Sequence, residues 1–367
     1  MKKKITYGEV GDNYDTKDPI KKLAQTAARK TSKNPQNVDF SEVPQTRGES
    51  AYVFKVGNQY FATVVEGLGT KNLIADTMRK ISGKTYYDVI GYDTVATIIN
   101  DLVSVGAKPL VVHAYWAIED NDWLQDEKRM QDFINGWKKG CDVSGVSWGG
   151  GETATLKGII EPQTVDLGGS ALGLIKSKNA VITDQNLRIG DRIVLIKSSG
   201  VNCNGISLTR AISKKLPNGY ATKLPSGKKY GEALLTKTNI YAKVVDDLIG
   251  AGIKIHYISN ITGHGFRKIM RSSSTFTYVI EKIFKPQEVF NFVQKHANLT
   301  NYEMYHTYNM GQDYAIFVSP KDVEKVQSII AKNKFQSLDA GFVQAGSRKV
   351  IIKPKNITFT SETLDLR

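Results

Sequence analysis

The chain has 367 residues, 41% of them hydrophobic and 23% charged, with a net charge of +14 and two cysteines. That length exceeds one ordinary core and suits two domains, and the composition excludes a disordered chain. No apolar run approaches the roughly 20 residues of a bilayer span, and two cysteines, Cys141 and Cys203, exclude a disulfide scaffold.

The basic start, Met1 to Lys4, is followed by Gly8, Glu9, Asp12 and Asn13, where a secretory leader needs an apolar stretch, so a cytoplasmic protein is expected. Lysines are scattered over the whole chain rather than gathered in a stripe or arm. This argues for a solvated, anion-attracting surface and against a nucleic-acid or membrane partner. Residues 1–50 are polar and turn-rich, and regular structure is expected to begin with Ala51–Val56, a Gly57-Asn58 turn and Gln59–Val65, a β-hairpin. Apolar residues at helical spacing from Val89 to Val103 predict a helix over 86–105. Gly106 and Pro109 stop it before a buried strand at Leu110–Ile118, in which His113 reads as a core residue. A helix over 126–145, a glycine turn at 149–151 and a strand at Thr164–Ile175 complete the first half.

A second alternating pattern starts near Lys176. Arg192–Lys197 reads as a strand, Ser198–Gly205 as a turn and Ile206–Lys215 as a helix. Residues 217–231 form a surface excursion, 234–248 a helix, and Ile255–Ile258 a strand before the glycine turn at Gly263 and Gly265. The economical division is two α/β domains, 1–175 and 176–367.

Three segments could carry chemistry. The hairpin ends in Glu66, Gly67, Gly69, Thr70 and Lys71, a carboxylate followed by glycines and a cation, which can meet a metal-bound phosphate or be a plain turn with a solvated lysine. It is not a Walker A loop, whose glycine–lysine spacing is absent. On the 86–105 helix, Asp93, Thr97, Asn100 and Asp101 fall within one quadrant at about 100° per residue. The helix is otherwise apolar, so its carboxylates need a partner: a metal ion, or an N-cap or arginine. Gly150 and Gly151 precede Glu152, in a stretch where a ligand or another backbone comes close or where the chain merely turns. Carboxylates on three segments with a lysine suit Mg²⁺-assisted phosphoryl transfer. The five histidines show no zinc spacing, and Trp116, Trp123, Trp137 and Trp148 read as core or interface.

In order, these segments resemble the phosphoribosylformylglycinamidine cyclo-ligase family, the AIR synthetases. Asp101 with Gly106, Ala107 and Pro109 resembles the signature of the wider ATP-binding superfamily. Tyr7-Gly-Glu-Val-Gly11, Gly67-Leu-Gly-Thr-Lys71, Gly150-Gly-Glu-Thr-Ala154, Ser198-Ser-Gly200 with Asn204-Gly205, Thr238 with Tyr241, Thr262-Gly263, and Asn309-Met-Gly311 resemble the motifs of the cyclo-ligase branch. The resemblance implies an α/β (α+β) fold whose N-terminal domain pairs with its twin into a β-barrel dimer, with a C-terminal α/β sandwich. It implies ATP and Mg²⁺ as cofactors, a phosphoribosyl small molecule as substrate, and closure of the imidazole ring of aminoimidazole ribonucleotide. Mg²⁺ would fall to Glu66, Asp101 and Glu152, with Asp101 and Lys71 catalytic. Gly67, Gly69, Thr70, Lys71, Asp93, Asn100, Gly150 and Gly151 would hold ATP and its phosphates, and Asn202, Asn204, Thr238, Tyr241, Thr262 and Gly263 the substrate.

The sequence departs from that pattern at named places. Glu66 stands for Asp, Asn202 for His, Lys237 and Asn239 for Pro and Arg, and His264 for Gly, and only Gly48 remains of a glycine-rich loop at 43–50. Another enzyme of the superfamily, or a catalytically silent relative, is therefore the alternative. Selenophosphate synthesis is disfavoured, since no reactive cysteine precedes Cys141.

Overall fold

The computed structural model describes Lys4 and residues 14–364, so the Tyr7–Gly11 motif lies outside the described residues. In chain order the first half comprises α1 (Tyr14–Lys30), β1 (Phe40–Glu42), β2 (Tyr52–Val56), β3 (Gln59–Gly67), α2 (Asn72–Ser82), α3 (Tyr87–Val103), β4 (Lys108–Ile118), α4 (Glu127–Ser144), β5 (Ser147–Thr155) and β6 (Val165–Ile175). The second comprises β7 (Arg192–Lys197), α5 (Ile206–Ser213), α6 (Tyr230–Leu234), α7 (Ala242–Gly250), β8 (Ile255–Asn260), β9 (Phe276–Ile280), α8 (Glu288–Ala297), α9 (Asn301–Thr307), β10 (Gln312–Val318), α10 (Val323–Lys332), β11 (Ser337–Ala345), β12 (Lys349–Ile352) and β13 (Ile357–Thr360). Among the described residues the strands form two sheets, ordered β1-β2-β3-β6-β4-β5 and β13-β12-β9-β11-β7-β10-β8.

The hairpin, α3 and α4 form where periodicity places them. Asp126 caps α4 by accepting from Arg129 N at 3.1 Å, and Gly145 ends it in the left-handed region at φ 65°. Four expectations change. The polar stretch before residue 50 contains α1, whose Lys, Leu, Gln and Ala favour helix without an apolar stripe, and whose Ile20 and Leu23 are exposed. β4 alternates buried and exposed residues instead of being buried throughout, and His113 lies on the exposed side. The glycines at 149–151 belong to strand β5, pressed against β4 so closely that a Cβ on Gly151 would lie 2.2 Å from Ala114 O. The helix expected over 234–248 is two short helices, α6 and α7, separated by an irregular stretch at 235–241.

Helix α3 has nearly every side chain buried, against β3 and β6 on one side and α4 on the other. Two glycines let α3 and α4 approach: a Cβ on Gly91 would lie 2.4 Å from Phe133 O, and one on Gly136 would lie 2.3 Å from Asp88 O. Trp116, Trp137, Phe133 and Trp148 fill the space beside this crossing, with Trp116 and Phe133 rings 4.7 Å apart. The crossing fixes α3, and α3 carries Asp93, Asn100 and Asp101. Gly136→Ala should therefore cost about 1–3 kcal/mol of stability through overpacking. Chemical denaturation checks this, and wild-type stability in the variant would show that the helices can separate freely.

Candidate active site

The end of β3 and the end of α3 converge on a cavity of about 400 Å³. Its lining includes Glu66 from β3, Asp101 from α3, Gly48–Ser50, Asn204, Thr262, Gly263, His264, Lys268 and Arg271, with Lys21 and Gln25 of α1 at the rim. Glu66 and Asp101 share a hydrogen bond, and the Glu66 carboxyl is pushed up to about 8, first by burial and then by the Asp101 charge. Lys268 faces both. Burial pulls its ammonium down to about 8, while Asp101 and Glu66 pull it back up. Its Nζ donates to Thr262 Oγ1, and Asn260 Nδ2 donates to Asp101 Oδ1 at 2.7 Å. The arrangement is a half-buried Glu66 and a buried Asp101 facing Lys268, in a polar cavity that Glu49 and Arg271 also line.

The segment at 46–50 occupies the place where a glycine-rich loop was expected. Arg271 holds it, donating from Nε to Gly48 O and from Nη1 to Ser50 Oγ, both at 2.9 Å, while Tyr257 OH donates to Glu49 Oε2 at 3.0 Å. A cavity wall is thus fastened by side chains of the second half of the chain.

Lys71 and Asp93 take a different place from the one expected. Lys71 Nζ lies 2.5 Å from Asp93 Oδ2, both side chains are fully buried, and Lys71 also donates to Thr236 O at 3.0 Å. Asp93 Oδ1 accepts from Thr238 N at 2.8 Å. Asn100 grips the same irregular stretch, donating to Asn239 O at 2.8 Å and accepting from Tyr241 N at 2.9 Å. These three side chains fasten 235–241 to α3, and none of them lines the cavity with Glu66 and Asp101. Cys203 sits beside them, its Sγ 3.6 Å from Asp93 Oδ2, and burial pushes its thiol up to about 12, so it stays a neutral thiol.

Glu152 does not join the other two carboxylates. It is exposed on β5, which β4 and β6 separate from β3 by three strand spacings, about 14 Å. Among the described residues no group of three or more His, Cys, Asp or Glu side chains gathers as a metal centre. Gly150 and Gly151 are exposed on the same strand. Gly67 and Gly69 are exposed in the loop after β3, Thr70 is half-buried, and the loop is pinned by Leu68 N donating to Leu167 O at 2.8 Å.

Of the residues expected on the substrate side, Asn204, Thr262 and Gly263 line the cavity. Asn202, Thr238 and Tyr241 are buried behind it. Asn202 Nδ2 donates to Asp313 Oδ2 at 2.8 Å, and Tyr241 OH donates to Asp313 Oδ1. Burial pushes the Asp313 carboxyl up to about 6, against the pull of those two hydrogen bonds. Lys268, Arg271, Asn260 and Asp313 escape sequence reasoning. In a lysine-rich chain nothing marks Lys268, and its only signal is its position three residues beyond Gly265.

Residues 48–175 match the N-terminal domain of the AIR synthase related protein family, and residues 188–353 match its C-terminal domain. A phosphoribosylformylglycinamidine cyclo-ligase of Methanococcus maripaludis is 31% identical over 89% of this chain and 88% of its own. One of Methanosarcina mazei is 35% identical over 77% and 80%. Among solved structures, a thiamine-monophosphate kinase from Stenotrophomonas maltophilia superposes with a TM-score of 0.56 at 14% identity, covering 92% of this chain and 97% of that one. The hydrogenase maturation protein HypE in complex with ATP superposes at 0.58 and 14%, covering 85% and 86%. Those likenesses speak for the fold. The chain belongs to the AIR synthase related family.

Lys71→Met would leave Asp93 buried without its cation, a change that costs about 3–5 kcal/mol. Adding Asp93→Asn to that variant should recover part of the loss, since no charge then remains buried. Urea unfolding of the single and double variants measures both. Equal stability of Lys71→Met and wild type would mean that the pair does not hold α3 to the 235–241 stretch.

Proposed function

We propose that the chain is an ATP-dependent cyclo-ligase that closes formylglycinamidine ribonucleotide to aminoimidazole ribonucleotide, releasing ADP and phosphate. The observation that carries this reading is the Glu66–Asp101 pair facing Lys268, in a cavity whose walls come from segments matching both domains of the family. The relatives at 31% and 35% identity bear that enzyme's name. The division used here is an N-terminal nucleotide-binding unit over 1–175 and a C-terminal unit over 176–367, supported by the change of sheet between β6 and β7.

The reaction transfers the γ-phosphoryl group of ATP to the formyl amide oxygen. This turns a poor leaving group into phosphate, and the amidine nitrogen then attacks the same carbon. Mg²⁺, when bound, neutralises charge on the phosphoryl oxygens. Glu66 and Asp101 fit it: Mg²⁺ is commonly bound through one or two carboxylates plus substrate phosphates, and these two carboxyl groups lie within hydrogen-bond reach of each other in the cavity. Lys268, Arg271 and Lys21 turn a cationic rim toward the same cavity and suit the phosphate oxygens. Asn204 and Thr262 offer the acceptor short polar side chains. Lys71, Asp93 and Asn100 act one layer back, holding the substrate-side segments on α3. Gly67, Gly69 and Thr70 give the nucleotide backbone groups it can approach closely.

Glu152, Gly150 and Gly151 enter this reading through a second copy of the chain. The face of the first sheet turned away from α3 exposes Val65, Leu110 and Tyr115, and Glu66 also lines the hollow on that face. A twin packed there would cover the apolar side chains and bring an edge strand β5 toward a neighbouring Glu66. No helix of the described residues is long and apolar enough to cross a membrane, and both cysteines are free, which supports a reducing cytoplasm.

Incubation with ATP, Mg²⁺ and formylglycinamidine ribonucleotide should yield aminoimidazole ribonucleotide and ADP in equal amounts. Asp101→Asn keeps the oxygen that accepts from Asn260 but removes charge, so turnover should fall by about 100-fold or more with the fold intact. ATP consumption that the ribonucleotide neither stimulates nor couples to product would overturn the cyclo-ligase assignment while leaving phosphoryl transfer standing. Light scattering should give about twice the 40.6 kDa chain mass. A monomer that still turns over would remove the second copy from the site.

A further inference from the structure

Behind the cavity, strand β10 begins with an irregularity. Against β7, Gln312 pairs with Lys197 and Tyr314 with Ile196, so Asp313 is an extra residue in a β-bulge. Bulges next to active sites re-aim a side chain. Here the bulge turns a carboxylate into the junction of three segments, two of which line the cavity while the 235–241 stretch lies behind it. Asp313 Oδ2 accepts from Asn202 Nδ2 at 2.8 Å, in the turn that carries Asn204. Its Oδ1 accepts from Tyr241 OH, at the end of the irregular stretch fastened to Asp93 and Asn100. Its backbone oxygen accepts from Ile261 N at 2.8 Å, at the entry to the loop carrying Thr262 and Gly263.

Two departures from the family pattern meet at this junction. Asn202 binds Asp313 directly, and Asn239 reaches it through Tyr241, donating from Nδ2 to the Tyr241 hydroxyl oxygen at 3.0 Å. Asn202 has a left-handed backbone, φ 61°, which places its side chain in one direction relative to the turn. An ionised carboxylate only accepts, so Asp313 obliges the Asn202 amide to present its NH₂ end and leaves its carbonyl end to accept, as it does from Ser199 Oγ at 3.3 Å.

We propose that Asp313 is a positioning residue for the acceptor substrate: it fixes the amide of Asn202 and the registry of the two loops that line the substrate side of the cavity, with the 235–241 stretch behind them. The proposal rests on the cyclo-ligase reading. Asp313 itself does not line the cavity, so its effect passes through Asn202, Tyr241 and the Ile261 loop. A buried carboxylate kept only for stability would have no reason to sit at the residue where β10 leaves register with β7. A hub between substrate loops has that reason.

The test uses the full chain and three variants. Asp313→Asn offers one acceptor oxygen where two donors converge, so its NH₂ meets the donor of either Asn202 or Tyr241 and the junction loses one hydrogen bond. Adding Asn202→Asp restores a donor–acceptor pair with reversed polarity. Asp313→Asn should raise KM for formylglycinamidine ribonucleotide by about tenfold or more, with KM for ATP changed less than about twofold. The double variant should return the ribonucleotide KM to within about threefold of wild type. Parallel rises in both KM values, or no recovery in the double variant, would overturn the proposal. If Asp313→Asn does not fold, Tyr241→Phe removes one hydrogen bond to the same carboxylate. A KM rise confined to the ribonucleotide then supports the proposal, and an unchanged ribonucleotide KM overturns it. Wild-type protein that does not convert the ribonucleotide at all sinks the cyclo-ligase reading instead, a result distinct from wild-type turnover with indifferent variants.

Discussion

The structure depends on one buried ion pair. Lys71 and Asp93 lie 2.5 Å apart with no solvent access, so each has given up hydration that their mutual attraction alone does not restore. The remaining polar capacity is met by the backbone: Lys71 donates to Thr236 O and Asp93 accepts from Thr238 N. Those two backbone groups exist as partners only because the helix at 230–250 is broken between Leu234 and Ala242. A continuous helix would have bonded them internally. The break, the pair and the docking of the second half on α3 are therefore one interaction seen from three sides.

The carboxylate pair at the cavity inherits its geometry from that seat. Asp101 lies eight residues beyond Asp93 on the same helix, a little over two turns at about 3.6 residues per turn. Fixing Asp93 and Asn100 to the 235–241 stretch leaves Asp101 against Asn260, from a strand of the other sheet. Glu66 then arrives from β3, and Lys268 from beyond the Ile261 loop. Each charged group at the cavity comes from a segment that could not find it without the docking. Burial makes this costly, as the raised Glu66 carboxyl and the lowered Lys268 ammonium record. Under the proposed function, such an arrangement would be preorganised for a ligand that brings phosphate charge and its cation together.

Much of this was legible in the sequence, and the part that was not has a common cause. Periodicity finds α3, α4 and the hairpin because their apolar residues repeat at a fixed interval. Asp93, Asn100 and Asp101 stand out as polar groups in an apolar helix. Their partners do not stand out. A spacing argument says that Asp93 needs a cation, but only the fold shows that Lys71 satisfies it, which moves Lys71 from the phosphate side to the scaffold. Glu152 reads as a third carboxylate in sequence, while the strand order puts it at the far edge of the sheet. The glycines before it read as a close approach of a ligand or backbone or as a plain turn, and only the paired strands decide for a neighbouring backbone, 2.2 Å from a Cβ on Gly151. Asp313 is invisible because a β-bulge is a property of two strands compared, not of one strand read alone.

The charge of the chain gains a meaning that its total does not have. Many of its cations are spent in exposed pairs such as Lys138–Asp142, Lys157–Asp120 and Lys243–Asp247, which contribute little. The concentration that matters is small and local: Lys21, Lys268 and Arg271 around one cavity that also contains Glu49, Glu66 and Asp101. An anion entering the cavity meets Lys21, Lys268 and Arg271 in poorly solvated surroundings. On the proposed reading, a divalent cation alone would meet Lys268 beside Glu66 and Asp101 and be repelled by it. The same cation carried in on a triphosphate would not, because the phosphates would compensate Lys268 and Arg271 while the carboxylates, ionised as the metal arrives, would compensate the metal. The proposed site would therefore favour the metal–nucleotide complex over either component, with the side chains of both halves of the chain.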